Sequence, residues 1–199
     1  MRFARRCGDR QIDSARPAID GQRLLLDLQR YQPLDAQDRA TAEAMGEFIR
    51  EHASFWDRVL ETGHVTASAW VMDHSRRYVL LTHHAKLDRW LQLGGHIERD
   101  PSVLRAAARE AQEESGLESL EPVSGEIFDV DIHVIPASAR ERKHLHYDIR
   151  YLFGADRHEA LRVSQESKQL AWVGVDALQS FTRDASVLRM LKKALLRGP

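Results

Sequence analysis

Residues 93–117 carry the clearest structural signal in the chain, and their sequence is LGGHIERDPSVLRAAAREAQEESGL. Asp100 is a favourable helix N-cap, and Pro101 suits the first helical position because that position needs no backbone N–H donor. Gly116 is typical of the residue that ends a helix, where the backbone turns left-handed. These features predict a helix over residues 101–115, directly after a pair of glycines.

The acidic residues near the end of this helix share one face. Glu110, Glu113 and Glu114 stand at positions i, i+3 and i+4, where side chains lie above one another. Three close carboxylates repel one another unless a cation lies between them, and oxygen donors suit hard ions such as Mg²⁺ or Mn²⁺. Arg109 stands four residues before Glu113 and can orient that carboxylate through an ion pair. The alternative interpretation is a solvated acidic face without a ligand.

The glycine pair before the helix favours the metal interpretation. Gly94 and Gly95 allow the backbone to approach another group closely, and a free carbonyl there could be a further metal ligand. Small residues at Ala106 and Ala107 continue the acidic face toward the start of the helix. We therefore expect close packing around this helix.

The segments on either side alternate between strand and helix patterns. β-Branched and aromatic runs bounded by turn residues predict strands, and the last segment is an amphipathic helix with Val187, Leu188, Leu191 and Leu195 inward. The predicted strands are 65–72, 78–82, 90–93, 126–135, 144–153 and 170–173, and the predicted last helix is 185–196. This order of elements indicates the α/β class, with a sheet between helices.

The amino-terminal segment has a different pattern. Residues 22–52 show helical periodicity interrupted at Pro33, and Asp35 can cap the second of two helices. Residues 1–20 mix arginine and aspartate without an apolar run, which is typical of a loosely docked tail. We predict three parts: a tail over 1–20, a helical extension over 21–62 and the main domain over 63–199.

The composition excludes several classes of protein. The chain has 199 residues, 43% hydrophobic and 30% charged, with a formal net charge of −1. That balance provides no global field for binding a nucleic acid polymer or a membrane surface, and no apolar run is long enough to span a bilayer. The single cysteine, Cys7, permits no internal disulfide. We expect a soluble, cytoplasmic protein.

The helix and the glycines together resemble a known motif. The spacing from Gly95 to Arg109-Glu110, Glu113-Glu114 and Gly116-Leu117 is similar to the Nudix box, Gly-x5-Glu-x7-Arg-Glu-U-x-Glu-Glu-x-Gly-U, where U is a bulky aliphatic residue. Two positions depart from it, because Pro101 stands in place of the first glutamate and Ala111 in place of the first aliphatic residue. The strand order from about residue 63 onward fits the Nudix α/β/α sandwich.

The resemblance implies a metal-dependent hydrolase. Members of the family hydrolyse a diphosphate linkage, usually in a nucleoside diphosphate derivative such as a sugar nucleotide or ADP-ribose. By resemblance, Glu110 and Glu114 are the main ligands of Mg²⁺ or Mn²⁺, and Glu113 and the carbonyl of Gly95 complete the set. Glu98 is a substitute for the glutamate missing at Pro101, or an additional supporting group. The partner implied is a small-molecule diphosphate.

The resemblance also leaves a place for a general base outside the box. In several Nudix enzymes this base is a loop glutamate shortly before the last strand, which here corresponds to Glu166. Glu159 and Glu141 are the alternatives, and each of the three can equally be a surface carboxylate. With Glu166, the predicted catalytic residues are Arg109 and Glu113.

A second polar group lies on one predicted strand. His144, His146 and Asp148 alternate, so they face the same side of the sheet. With His96 they could bind phosphate or form a second metal site, and ordinary hydrogen-bonded histidines are the alternative. His83 and His84 end a strand and are expected in a loop. Trp90, Tyr147 and Trp172 are candidates for stacking on a base, although the core is their usual place.

Two other functions remain as alternatives. A non-catalytic ligand-binding Nudix domain would often lack box carboxylates, whereas Arg109, Glu110, Glu113 and Glu114 are all present. An enzyme like the isopentenyl-diphosphate isomerases would need a cysteine just before His96, where the chain has glycines. The substrate is not specified by any second motif. The amino-terminal helices are candidates for dimer contacts, which leaves a homodimer open.

Overall fold

Two long parallel strands form the centre of the sheet. The computed structural model describes residues 19–137 and 142–197. β1 (Gly63–Asp73) pairs with β7 (His144–Ala155) over their whole common length, from Gly63 opposite Leu145 to Asp73 opposite Ala155. Every residue of β1 is buried, which is typical of a central strand covered on both faces.

The other elements extend this centre on both sides. The remaining strands are β2 (Tyr78–His84), β3 (Arg89–Leu91), β4 (Leu93–His96), β5 (Glu121–Pro122), β6 (Asp129–Ile135) and β8 (Ser167–Gly174). β4 and β2 pair antiparallel with β1, β6 and β5 pair antiparallel with β7, and β3 and β8 pair antiparallel with β2. The helices are α1 (Gly21–Arg30), α2 (Ala36–Glu51), α3 (Val103–Ser115), α4 (Leu178–Phe181) and α5 (Ala185–Leu196).

Alternation along β1 divides the core into two layers. Val65 and Ala67 face one side and belong to the apolar cluster that includes residues of α1, α2 and α3. Trp70 and Met72 face the other side and pack with Met190 of α5. Helices therefore cover both faces of the sheet, and the predicted α/β/α sandwich with an amino-terminal helical extension is confirmed.

The amino-terminal helices pack directly on this sheet. Asp35 caps α2 as predicted, by accepting a hydrogen bond from the Asp38 N–H at 2.9 Å. Phe48 stacks on Tyr147 of β7 with 3.9 Å between ring centroids. The predicted tail over residues 1–20 lies almost wholly outside the described residues. Within the described ranges, none of the helices has the length and apolar character needed to cross a membrane.

The helix that follows the glycines begins later than predicted. Ser102 is the N-cap of α3, and its hydroxyl accepts a hydrogen bond from the Arg105 N–H at 3.3 Å. Asp100 does not cap the helix because its carboxylate binds Arg109 instead. The predicted end is confirmed, since Gly116 has a φ of 74° in the left-handed region.

Other predicted boundaries also differ. The single strand predicted over 90–93 is two strands, β3 and β4, and the glycines lie within β4 rather than in a turn. His83 and His84 belong to β2 because their backbone continues to pair with β8. β6 begins at Asp129 instead of residue 126. In α5, Leu195 is 60% exposed, since Met190 and Ala194 take the inward positions.

Candidate active site

The backbone of Gly95 lies directly against a carboxylate of α3. β4 pairs with β1 so that Gly95 is opposite Ala67, on the face that α3 covers. A Cβ atom added at Gly95 would be 2.6 Å from both Cδ and Oε2 of Glu110. A side chain at this position would therefore displace the carboxylate, and only glycine permits the contact.

Glu114 is the most deeply buried of the helix carboxylates. Its side chain lies one turn beyond Glu110, the residue is 7% exposed, and Oε2 accepts a hydrogen bond from the Gly94 N–H at 3.2 Å. Burial raises the pKa of Glu114 to about 8, and the charges of Glu110 and Glu166 act in the same direction. Burial also raises the pKa of Glu110, although Arg109 opposes that shift. Both carboxylates therefore lie where a positive charge would be strongly favoured.

Arg109 connects the helix to the segment that follows β4. Its Nη1 donates to Glu110 Oε1 and to Glu113 Oε2, both at 3.0 Å, and its Nη2 donates to the carbonyl of His96 at 2.9 Å. The predicted ion pair with Glu113 is thus present, although the Glu113 side chain is 61% exposed. This guanidinium fixes the relative positions of two box carboxylates and of the backbone next to Gly95.

Asp100 binds Arg109, although the sequence pattern predicted that it would cap the helix. Its carboxylate binds Arg109 on both oxygens, at 3.1 Å from Nε and 2.9 Å from Nη2. Burial raises the pKa of Asp100, but the hydrogen bonds from Arg109 outweigh that effect and the pKa is lowered. Pro101 is exposed in the turn before α3, and Glu98 is exposed nearby. The carboxylate next to the box arginine therefore comes from Asp100.

Of the three candidate bases, Glu166 is close enough to act on the box carboxylates. Its negative charge contributes to the raised pKa of both Glu110 and Glu114. Its own side chain is exposed, and its carbonyl accepts a hydrogen bond from the Ala85 N–H at 2.9 Å, which ties this loop to the end of β2. Glu159 instead accepts hydrogen bonds from the N–H groups of Glu118 and Ser119. Glu141 lies outside the described residues.

The predicted polar residues of β7 face away from α3. His146 is opposite His64 of β1, and Asp148 is opposite Thr66. Asp148 is 2% exposed, and its oxygens accept hydrogen bonds from the hydroxyls of Thr66 and Ser68 and from Nε of Arg150. The sheet therefore separates this polar surface from the box carboxylates, and His96 in β4 joins the histidines rather than the carboxylates.

A cavity opens on the same polar side of the sheet. It has a volume of about 500 Å³ and lies between β6, the β3–β4 segment and the start of α5. The polar side chains that line it include Gln92, Asp131, His133, Arg150 and Arg189. The predicted stacking residues Trp90, Tyr147 and Trp172 do not line this cavity. Tyr147 stacks on Phe48, and Trp90 stacks on His83.

Two residues next to the predicted site were not anticipated. His64 is buried at the start of β1, and its ring lies beside those of His96, His144 and His146. Arg58 donates a hydrogen bond to Nδ1 of His96. An isolated histidine and an arginine in a turn give no periodic signal. The pairing of β1 with β7 brings His64 beside His146, and the turn before β1 brings Arg58 to His96.

Comparison with known families gives one match that covers most of the described fold. The family model of the NUDIX domain matches residues 62–193. A curated protein named "Probable DHNTP pyrophosphohydrolase", from Lactococcus lactis subsp. cremoris (strain MG1363), is 33% identical over 98 residues. That alignment covers 48% of this chain and 57% of the relative, so the chain matches little more than half of the relative's length.

Solved structures share the fold at low sequence identity. An Ap4A hydrolase of C. elegans superposes with a TM-score of 0.54 at 18% identity, over 68% of this chain and 98% of its own. The dihydroneopterin triphosphate pyrophosphohydrolase of E. coli superposes with a TM-score of 0.51 at 14% identity, over 67% of this chain and 96% of its own. In both cases the unmatched part of this chain is about a third.

Proposed function

The chain belongs to the Nudix hydrolase family, and on that footing we propose that it hydrolyses a diphosphate linkage in a nucleoside diphosphate derivative, with a divalent metal ion. The observation that carries this proposal is the contact of Glu110 with the backbone of Gly95, next to the buried carboxylate of Glu114. Arg109 already pairs with Glu110, but Glu114 has no basic side chain as a partner among the described residues, and a buried carboxylate in that state favours binding of a cation.

The donor set fits Mg²⁺ or Mn²⁺. All the candidate ligands are oxygens, from Glu110, Glu113, Glu114 and the carbonyl of Gly95, and hard divalent ions prefer oxygen. The glycine leaves room for the carboxylate where a Cβ atom would collide with it. When bound, such an ion neutralises phosphate charge and lowers the pKa of an attacking water molecule.

Arg109 and Asp100 are proposed as positioning residues. Arg109 contacts the two carboxylates Glu110 and Glu113 and the carbonyl of His96, so its loss would release both the helix and the glycine segment. Asp100 holds the guanidinium by hydrogen bonds on both of its oxygens. This arrangement supports the view that Asp100 compensates for Pro101, and it leaves exposed Glu98 without a supporting contact to Arg109.

Glu166 is proposed as the group that accepts the proton of the attacking water. The Glu166 carboxylate is exposed, and its charge raises the pKa of Glu110 and Glu114. These two facts support a location between the box carboxylates and solvent. Glu159 is a weaker candidate because two backbone N–H groups already occupy its oxygens.

The substrate class is inferred from the family. The cavity of about 500 Å³ beside β6 offers donors and acceptors, including Gln92, Asp131 and Arg189, but it lies on the face of the sheet opposite the box carboxylates and is not assigned to the same substrate. His144, His146 and His96 remain proposed ligand contacts on the same side of the sheet. The names of the relatives add dihydroneopterin triphosphate and Ap4A to the compounds worth testing beside sugar nucleotides and ADP-ribose.

The test is phosphate or nucleotide release from this set of compounds with Mg²⁺ or Mn²⁺, for the wild type and for Glu114→Gln. The proposal predicts turnover of at least one compound that requires the metal and falls by about 100-fold or more in the variant. Glu118→Gln, an exposed residue just beyond α3, serves as the matched control. No turnover, with ligand binding still visible by thermal shift, would favour a non-catalytic binding domain.

A further inference from the structure

A group of imidazoles occupies the polar face of the sheet, on the side away from the box carboxylates. Neighbouring rings in this group have centroids 4.8–5.5 Å apart. Its members are His64 of β1, His96 of β4, His133 of β6, and His144 and His146 of β7. We call this group the histidine cluster.

Strand pairing explains why these residues meet. His64 lies opposite His146 in the parallel β1–β7 pair, and His133 lies opposite His146 in the antiparallel β6–β7 pair. His144 precedes His146 by two residues and therefore faces the same side. The cluster is thus fixed by the register of the sheet rather than by flexible loops.

Three members of the cluster are arranged as metal ligands. One ring nitrogen from each of His64, His144 and His146 lies within 4.8 Å of the other two. Zinc binds histidine nitrogens at about 2.0–2.1 Å, which places the nitrogens of a tetrahedral site roughly 3.3 Å apart. Side-chain rotations that move each ring by about 1 Å toward the centre would reach that geometry.

The hydrogen bonds around His144 and His146 leave one nitrogen of each ring available to a metal ion. Nδ1 of His144 lies 2.8 Å from the carbonyl of Arg142, so this nitrogen carries the proton and Nε2 keeps its lone pair. A backbone carbonyl in this role is the usual partner of a metal-binding histidine. Nε2 of His146 is buried, and the described residues offer it no hydrogen-bond partner. A buried polar atom in that state calls for a ligand.

The donor atoms of the cluster also suit a particular class of metal. Since ring nitrogens and no carboxylate form this set, borderline ions such as Zn²⁺ are favoured over Mg²⁺.

The remaining two histidines have other partners. Arg58 donates a hydrogen bond to Nδ1 of His96, so the proton of neutral His96 is on Nε2. Neither nitrogen then has a free lone pair for a metal ion. His133 lies 3.2 Å from a carboxylate oxygen of Asp131. These two rings therefore flank the three-histidine group.

A path from solvent reaches the group. A cavity of about 220 Å³ is lined by His64 and His144 and by Arg58, Glu61 and Arg142. This cavity gives a metal ion access to His64 and His144. An open fourth position is characteristic of zinc sites that bind a further ligand.

We infer that His64, His144 and His146 form a second metal site that binds one Zn²⁺-like divalent transition-metal ion, on the face of the sheet opposite the box carboxylates. This site uses His144 and His146 as metal ligands rather than as contacts to the substrate, and it is separate from the carboxylate site. It contains none of the carboxylates of α3, and the ion it prefers belongs to a different chemical class.

The test is direct titration of the metal-free full chain with Zn²⁺ in millimolar Mg²⁺, followed by calorimetry and by elemental analysis of the dialysed protein. The wild type is expected to retain one equivalent of zinc. His144→Gln and His146→Gln should each weaken binding by at least about tenfold, since even residues that only orient a ligand contribute that much. Co²⁺ in place of Zn²⁺ should give the visible absorption of a low-coordinate site in the wild type and not in these variants.

Two control variants separate this site from other sources of zinc binding. His158→Gln removes an exposed imidazole far from the cluster and should bind like the wild type. Glu114→Gln disables the carboxylate site and should also keep its equivalent of zinc, whatever happens to hydrolysis. Equal zinc binding by the wild type, His144→Gln and His146→Gln, or no retained zinc in the wild type, would overturn the inference. Matching metal-free melting curves would exclude misfolding as the reason for a loss.

Discussion

Gly95 is the residue whose small size has the most specific consequence. A Cβ atom there would lie 2.6 Å from the carboxylate carbon of Glu110. The atoms met are the end of the flexible Glu110 side chain, so the fold can adapt by moving that carboxylate aside. The expected damage is therefore to the metal site and not to the fold.

For Gly95→Ala we expect loss of metal-dependent hydrolysis by about 10-fold or more, from displacement of one ligand. The free energy of unfolding should change by less than about 1.5 kcal/mol, because glycine in a strand is itself unfavourable. Activity against Mg²⁺ concentration and urea unfolding give the two quantities. Gly125→Ala is the control, since an added Cβ there would have no neighbour within 4 Å among the described residues. Full activity in Gly95→Ala would contradict the assignment.

Glu166 can be tested against Glu159 because their carboxylates have different environments. Removing a general base typically lowers kcat by about 10²–10⁴-fold, so we expect that loss of kcat for Glu166→Gln. The Mg²⁺ concentration that gives half-maximal activity should change little. Glu159→Gln should keep most of the rate, because its oxygens serve two backbone N–H groups. Equal rates for the two variants would exclude Glu166 as the base.

At the scale of single elements, the β1–β2 turn contains a carboxylate that should make stability depend on pH. Asp73 is 5% exposed and accepts hydrogen bonds from the backbone N–H groups of Arg77 and Tyr78, at 2.9 and 2.8 Å, and from the Ser75 hydroxyl. Burial raises the pKa of Asp73, but these hydrogen bonds outweigh it and lower the pKa below its ordinary value.

A lowered pKa in the folded state means that Asp73 stabilises the protein above pH 4 or so and loses this effect as the pH falls through its folded pKa. Asp73→Asn should therefore cost about 1–3 kcal/mol of unfolding free energy at pH 7 and progressively less toward pH 2–3. Urea unfolding over this pH range measures the difference. Asp176→Asn, an exposed residue, should show no such dependence. A pH-independent difference for Asp73→Asn would refute the explanation.

Lys193 connects the last helix to the amino-terminal helices through buried charges. Its Nζ lies 2.6 Å from Asp38 of α2 and 2.5 Å from Asp129 of β6, and it also contacts the hydroxyl of Tyr31. The residue is 5% exposed. Asp129 keeps Arg150 and Arg189 as partners, but Asp38 has no second cationic side chain among the described residues.

Lys193→Met should lower the free energy of unfolding by about 3–5 kcal/mol, because it leaves a buried carboxylate without its partner. Lys192→Met removes the exposed neighbouring charge and should change stability by less than about 0.5 kcal/mol. Adding Asp38→Asn to Lys193→Met should recover part of the loss, since it removes the unpaired charge. Equal losses for the two lysine variants would show that the buried ion pairs contribute little.

Sequence patterns predicted which segments form helices and strands better than they predicted where these begin and end. Gly116 ended α3 as expected because left-handed backbone favours glycine locally. Asp100 was assigned to the cap instead of Ser102, because an aspartate suits an N-cap and an arginine partner equally well. Only the folded chain shows that Arg109 returns to it. The break between β3 and β4 depends likewise on which strand each segment pairs with.

For the whole molecule, the family was the part that sequence could provide. The predicted Nudix membership is confirmed by the match over residues 62–193. The three glutamates of the carboxylate site lie within two turns of one helix, which is why their spacing could group them. The histidine cluster depends on strand pairing between residues 64 and 146, and the alternation within β7 revealed only part of it.

The helical extension packs on the main domain through a shared apolar cluster. The predicted boundary near residue 62 stays a prediction, because α2 shares an apolar cluster with the sheet and Val65 donates a hydrogen bond to the carbonyl of Phe55 at 2.7 Å.

The most direct test of the central claim is anomalous diffraction from a crystal of the full chain soaked in Mn²⁺. The account predicts a manganese peak within bonding distance of Glu110 and Glu114 and of the carbonyl of Gly95, because these oxygens form the hard-ion site. The same soak of Glu114→Gln should lose or weaken that peak. No peak at these carboxylates, with manganese bound elsewhere or absent, would contradict the account.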